Sequence, residues 1–241
     1  MPAEKPSSPS SSSSRSPGRV VVAIDGPAGA GKSTTARLLA EALGYSLLDT
    51  GAIYRALAYL ARQRGVSWDD DARLAELARG LDIRFELHGG VNRVWLENEE
   101  LGDAIRTPEI ASGASQVSSL PAVRAALLDL QRRLGAGGGV VVEGRDIGSV
   151  VFPGAGAKFY LTATLDERAR RRTRDLELAG RAQDPAEVKR DIEERDARDM
   201  ARAAAPLKKA EGAIEIDSSE LPADEVVERM AEIVRRQART T

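Results

Sequence analysis

Apolar residues fall along the chain in alternating blocks of two kinds. Val20-Val21-Val22-Ala23-Ile24 is a short, β-branched run of the kind that forms a buried strand. Beyond it, Leu38, Leu39, Ala42 and Leu43 recur at helical spacing and stop at Gly44, which predicts a helix. Tyr45–Asp49 reads as a second strand ending in an acid. A helix then opens at Thr50-Gly51-Ala52-Ile53-Tyr54-Arg55 and runs to about Arg64, where Gly65 stops it. Thr50 stands where an N-cap belongs. Its hydroxyl is equally available to a ligand, and the pattern alone leaves both roles open.

The character changes after Trp68. Asp69–Arg79 predicts a short helix, with Leu74, Leu77 and Ala78 on one side. Leu81–Leu87 and Val91–Glu97 alternate with period two around Gly89-Gly90, predicting an antiparallel hairpin with one solvated face. Helices follow over about Pro108–Val117 and Pro121–Leu134. Val140-Val141-Val142-Glu143 is again a buried-type strand ending in an acid, and Ala157–Leu161 is another. Two charged helices come next, Asp166–Ala179 and one restarting at Asp184-Pro185-Ala186-Glu187 in a capping-box pattern. A strand over Ala213–Ile216 and an amphipathic helix over Pro222–Arg236 close the pattern, with Val226, Val227, Met230, Ile233 and Val234 facing inward. Strands alternating with helices predict an α/β fold, a parallel sheet covered by helices on both faces. Into it are set a hairpin-containing insertion over about residues 66–135 and an arginine-rich helical lid over about 166–205. The domain is expected to span residues 19–238. Residues 1–18, rich in Ser and Pro and without an apolar run, predict a flexible tail rather than a secretory signal.

Composition narrows the chemistry. A formal net charge of -2 over 241 residues argues against a general binder of nucleic acid or of a membrane surface. With no cysteine there is no disulfide, thiol nucleophile or thiolate metal site. The single histidine, His88, falls in the hairpin turn and reads as surface. No apolar run reaches the length of a membrane span, so a soluble protein is expected. Lysine stands only at Lys5, Lys32, Lys158, Lys189, Lys208 and Lys209, leaving the rest of the 35 basic residues as arginine, the side chain suited to bidentate phosphate clamping.

The sharpest chemical signal is Gly26-Pro27-Ala28-Gly29-Ala30-Gly31-Lys32-Ser33, followed by Thr34. It fits G-x-x-x-x-G-K-[ST] and lies between a predicted strand and a predicted helix, the context a phosphate-binding loop requires. Glycines let the backbone N–H groups converge on an anion, and the helix N-terminus adds partial positive charge. Lys32 is placed to reach the β- and γ-phosphates, and the Ser33 hydroxyl to join a Mg²⁺ shell. Glu143, at a strand end, is placed to hold the same ion through water. Arg195, Asp199 and Arg202 at i, i+4 and i+7 would share a helix face. That face is either a solvated array of ion pairs or part of a phosphate clamp. A phosphate acceptor is already ionised at neutral pH and needs no general base, consistent with the lone histidine in a turn.

These residues resemble bacterial cytidylate kinases over about Val20 to Arg236. The resemblance rests on Ile24-Asp25-Gly26-Pro27 with the phosphate loop, Leu48–Arg55, Ile105-Arg106-Thr107, Ala114–Ser118 and Pro121–Arg124. It continues through Gly144-Arg145-Asp146-Ile147-Gly148, Val150–Pro153, Glu194–Asp199, Arg202 and Ala205-Pro206-Leu207. It implies a monomeric cytoplasmic enzyme that moves the γ-phosphate of Mg·ATP to CMP or dCMP. It further implies that Arg55, Arg145 and Arg202 clamp phosphates and that Ser115, Arg124 and Asp146 read cytosine. Thr50, Arg195 and Asp199 would contact the nucleoside and the lid side of the site. Glu143 stands where aspartate is common in the family, and Thr50 where serine is. Other small-acceptor kinases remain a rival reading, opposed by the hairpin insertion and the Ser115, Arg124, Asp146 set. A GTP-dependent switch lacks its N-K-x-D reader, since Asn92 and Asn98 precede Arg and Glu. A nucleotide-binding scaffold without turnover is opposed by the intact Lys32, Ser33 and Glu143.

Overall fold

The computed structural model describes residues 19–239 apart from 203. The tail predicted over residues 1–18 therefore lies outside the described residues. The chain runs β1 (Val21–Asp25), α1 (Lys32–Leu43), β2 (Ser46–Asp49), α2 (Thr50–Gln63), α3 (Asp71–Arg79), β3 (Ile83–His88), β4 (Val91–Leu96) and β5 (Glu99–Glu100). It continues through a 3₁₀ turn at Gly102–Arg106, α4 (Pro108–Val117), α5 (Pro121–Gly135), β6 (Val140–Gly144), a π-helical turn at Ile147–Val151 and β7 (Ala157–Thr162). The remainder is α6 (Leu165–Leu178), α7 (Pro185–Ala201), β8 (Ile214–Asp217) and α8 (Ala223–Gln237).

Strands β2-β6-β1-β7-β8 form a parallel sheet in that order, and β3-β4-β5 a small antiparallel one. The period of two in a strand explains how the parallel sheet is buried on both faces. Ala23, Leu48, Val140 and Val142 point into one apolar cluster, shared with α2, α4 and α5. Their neighbours Val22, Ile24, Leu47 and Val141 point the other way, into a cluster with α1 and α8. The insertion after α2 therefore has no core of its own. Leu74 of α3, Ile83 of β3 and Ile110 of α4 continue the first cluster.

Helices α6 and α7 are different. Ala169, Leu176, Val188 and Ile192, with Leu165 packed beside them, make a third, small cluster that belongs to this helical pair alone. Asp184 caps α7 by accepting from the Ala186 N–H at 3.1 Å. His88, expected in the hairpin turn, is the exposed last residue of β3, paired with Val91.

Candidate active site

Register brings the strand ends level. Ile24 of β1 pairs with Glu143 of β6, and Glu143 pairs with Asp49 of β2. The segments that follow these strands therefore open together at the carboxyl edge of the sheet, where open α/β sheets place ligands.

The loop after β1 is built by its glycines. Gly26 has φ +149°, and a Cβ there would lie 1.9 Å from the Leu161 carbonyl oxygen. Gly29 and Gly31 sit at φ +76° and +86° and complete the curl. Gly31 is the N-cap of α1 and supplies no side chain to its N–H groups. By contrast Asp49, Asp70, Thr107, Thr164 and Asp184 each cap the helix that follows them. The start of α1 is thus left open to an anion.

Lys32 is buried and its Nζ donates to the Pro27 carbonyl at 2.6 Å. Burial, with Arg145 nearby, pushes its ammonium well below the usual lysine range, a bias that a phosphate at the loop would reverse. Ser33 Oγ donates to Glu143 Oε2 at 2.9 Å. Glu143 is itself buried, and burial together with Asp49 raises its carboxyl to about 7. A hydroxyl beside a carboxylate is an oxygen donor pair suited to Mg²⁺. Among the described residues no group of three or more His, Cys, Asp or Glu could hold a metal by itself. The other ligands would accordingly be phosphate oxygens and water.

Arginines ring the same space. Arg55 pairs with Asp49 at 2.7 Å. Asp199, 1% exposed, accepts from Arg145 Nε at 2.8 Å on one oxygen and from Arg202 on the other. Arg195 makes no ion pair among the described residues, and its Nε is buried without a hydrogen-bond partner. Burial, then Arg145, then Arg55 and Arg172, pull its guanidinium down to about 10 against the opposing pull of Asp199. Lys32, Arg55, Arg145, Arg195 and Arg202 outnumber the acids beside them, Asp49, Glu143, Asp199 and, next to Lys32, Asp25, and the surplus cation suits an anionic ligand.

A second polar cluster adjoins these residues through Arg202. Arg124 pairs with Asp146, donates to the Ser118 carbonyl at 3.1 Å and lies 5.8 Å from the centroid of the Tyr54 ring. Arg202 Nη2 reaches Ser118 Oγ at 2.9 Å, and that hydroxyl donates to the Ser115 carbonyl at 3.0 Å. Ser115 Oγ is buried with no partner. A buried hydroxyl left unpaired is costly, and a polar ligand edge would satisfy it.

Two local expectations are corrected. Thr50 is not the N-cap of α2; Asp49 is, its Oδ1 accepting from the Ala52 N–H at 3.0 Å. Thr50 is the first residue of α2, and its buried hydroxyl donates to the Glu143 carbonyl at 2.7 Å, tying α2 to β6. Arg202 does not share a helix face with Arg195 and Asp199, because α7 ends at Ala201 and Arg202 turns away at φ -57°, ψ 128°. Its guanidinium still reaches Asp199 three residues back, and the Leu207 N–H bonds to the Asp199 carbonyl at 2.9 Å.

Other residues at the site were given no role by sequence reasoning. Arg168 of α6 pairs with Asp196 of α7, and together they hold both backbone groups of Ala28: Arg168 donates to its carbonyl at 2.9 Å and Asp196 accepts its N–H at 3.2 Å. Ser218, after β8, donates to the Ala30 carbonyl at 3.3 Å and accepts from Arg171 at 3.1 Å. Asp25, at the end of β1, is 2% exposed and accepts from the backbone N–H groups of Ile147 and Gly148 at 2.7 and 2.8 Å. Asp25 was detectable in principle, since it is an acid ending an apolar strand just as Asp49 and Glu143 are.

Comparison with known proteins agrees with this geometry. The cytidylate kinase family model matches residues 22–236. A cytidylate kinase of Geobacter sp. (strain M21) is 50% identical over 216 residues, covering 90% of this chain and 93% of its own. One from Geobacter sulfurreducens is 46% identical over 222 residues, 92% of this chain and 95% of its own. One from Pseudomonas aeruginosa (strain UCBPP-PA14) is 48% identical over 219 residues, 90% and 96%. A phosphate loop open at its helix, an arginine ring and an adjoining polar cluster thus occur in a chain matched along nearly its whole length, and the chain belongs to the cytidylate kinase family.

Proposed function

We propose that this protein transfers the γ-phosphoryl group of ATP to CMP or dCMP, releasing ADP and CDP or dCDP. A phosphate oxygen of the acceptor forms the new bond to the γ-phosphorus as the bond to the β–γ bridging oxygen breaks. The observation that carries the reading is Arg195, a cation that makes no ion pair among the described residues and lies within electrostatic reach of Lys32, Arg55 and Arg145. In it the residues of the loop from Gly26 to Thr34 hold the donor phosphates, with Lys32 on the β- and γ-phosphates. Ser33 and, through water, Glu143 would hold Mg²⁺, which would draw charge from the phosphate oxygens. Arg55, Arg145, Arg195 and Arg202 offset charge on the phosphoryl group in flight, a reaction that needs positioning and electrostatics more than covalent help.

Ser115, Arg124 and Asp146 read the base, Asp146 accepting from the exocyclic amine that uracil lacks. Thr50 and Asp199 complete the acceptor side. A monomeric working unit is part of the same reading. No helix among the described residues is long and apolar enough to cross a membrane; a cytoplasmic location is part of the same reading. The insertion over about 66–135 and the lid over about 166–205 close over the two nucleotides and exclude water from the γ-phosphate.

The test is ADP release from Mg·ATP with CMP, dCMP, UMP, AMP, dTMP and shikimate each offered as acceptor. Fast turnover with CMP and dCMP, and little with the rest, is expected. A best rate with another acceptor overturns the base pocket, and no turnover with any overturns the kinase reading.

A further inference from the structure

Asp25 has a position that the scheme above does not use. Its backbone ends β1 immediately before Gly26, the first glycine of the phosphate loop. Its side chain crosses to the neighbouring strand's continuation, where one carboxylate oxygen accepts the Ile147 N–H and the other the Gly148 N–H. These are the first two N–H groups of the π-helical turn Ile147–Val151. The residues just before that turn are Arg145 and Asp146, one assigned to phosphate and the other to the base. Asp146 itself is held by the same turn, since its carbonyl accepts the Val150 N–H at 2.9 Å.

The fit around the contact is close. A Cβ on Gly148 would stand 3.4 Å from Asp25 Oδ2 and 3.2 Å from both Ala210 Cβ and Lys158 Cδ. Only a carboxylate can accept from two adjacent N–H groups at once through equivalent oxygens; an amide would turn its NH₂ toward one of the donors. No backbone bond of the β1–β6 ladder extends past the Asp25–Gly144 pair. Beyond that point the side chain of Asp25 hydrogen-bonds the two segments together.

We infer that Asp25 is the positioning residue that sets Arg145 and Asp146, and so the bound CMP, against the phosphate loop. This rests on the reading of Arg145 and Asp146 as acceptor contacts given above. Asp25 touches neither substrate. Its loss should therefore move acceptor kinetics while leaving the donor side in place, because Gly26 stays fixed by β1 itself.

Asp25→Asn keeps the size and one acceptor oxygen but sets an N–H against the second donor. The expected result is a CMP KM raised about ten-fold or more, a narrowed CMP-to-UMP preference, and an ATP KM within about two-fold of the parent, the size of effect seen when groups supporting a site are removed. Gly148→Ala leaves Asp25 intact but crowds Ala210 Cβ and Lys158 Cδ at 3.2 Å, shifting the Gly148 N–H away from Asp25, and should give the same split if the first variant does not fold. Val22→Ala, a core change on the same strand, serves as a matched loss of stability and should not separate CMP from ATP. Unchanged CMP kinetics in both contact variants, or CMP and ATP constants that worsen together as in Val22→Ala, would overturn the inference alone. A parent enzyme that does not phosphorylate CMP would overturn the underlying reading with it.

Discussion

Ser33 and Glu143, 110 residues apart in sequence, meet at 2.9 Å across the mouth of the phosphate loop. One comes from the first turn of α1 and the other from the end of β6, so the pair exists only when the sheet has assembled. Replacing the carboxylate tests its assigned role. Glu143→Ala is expected to lower kcat about 10- to 100-fold and to raise the Mg²⁺ concentration giving half-maximal rate. Glu143→Asp, one methylene shorter, should recover part of both. A magnesium titration at saturating nucleotide distinguishes these outcomes from a simple loss of fold.

Asp199 stands between two guanidinium groups at 1% exposure. The two arginines hold its carboxyl below the ordinary range in spite of burial. Removing it leaves Arg145 and Arg202 facing one another without a shared anion. Asp199→Ala should cost about 3 kcal/mol or more in unfolding free energy, as breaking a buried ion pair does. Inorganic sulfate or CMP should restore part of the loss, because either returns negative charge to the arginines. Chemical denaturation with and without 50 mM-range anion is the measurement.

The Arg124–Asp146 pair is expected to carry base choice. Asp146→Ala should raise the CMP KM and narrow the CMP-to-UMP ratio of kcat/KM about 100-fold, in keeping with the loss of a site built to bond a polar group. An unchanged ratio removes Asp146 as the base reader.

Unfolding should depend on pH with an unusual sign. Burial lifts Asp25 to about 6 and Glu143 to about 7. Between the ordinary carboxylate range and those values, the folded chain keeps protons that the unfolded chain has released. Stability then falls as pH rises through about 4 to 7. Asp199, held below the ordinary range, changes only under more acid conditions. Urea midpoints across this window should decline for the free protein. Mg·ATP should flatten the upper part of the curve, since a bound cation keeps Glu143 ionised in the folded state.

Much of the scaffold was legible because its signals are local. Val140–Val142 is buried on both faces and reads as a strand without help from any neighbour. β5 has no such pattern: Glu99 and Glu100 are exposed acids, and they form a strand only because Leu96 and Trp95 lie opposite. The turn at Ile147–Val151 likewise depends on Asp25, remote in sequence. Among the arginines the difference is helix phase. Arg168 is buried against Ala28 while Arg170, two positions on, is exposed. Arg168 lies one turn from Leu165 and beside Ala169 on the inward side of α6, so the apolar spacing did hold that information.

The small cluster between α6 and α7 shares no side chain with either of the clusters lining the sheet. Displacement of this helical pair therefore leaves the apolar interior of the sheet intact, and what it must undo is polar, chiefly the grip of Arg168 and Asp196 on Ala28. The pair is packed as a module of its own, beside the sheet rather than within its core. In the proposed lid role, sequence change within its hydrophobic seam would retune how readily it swings, and hence product escape, without renegotiating the packing that makes the sheet fold.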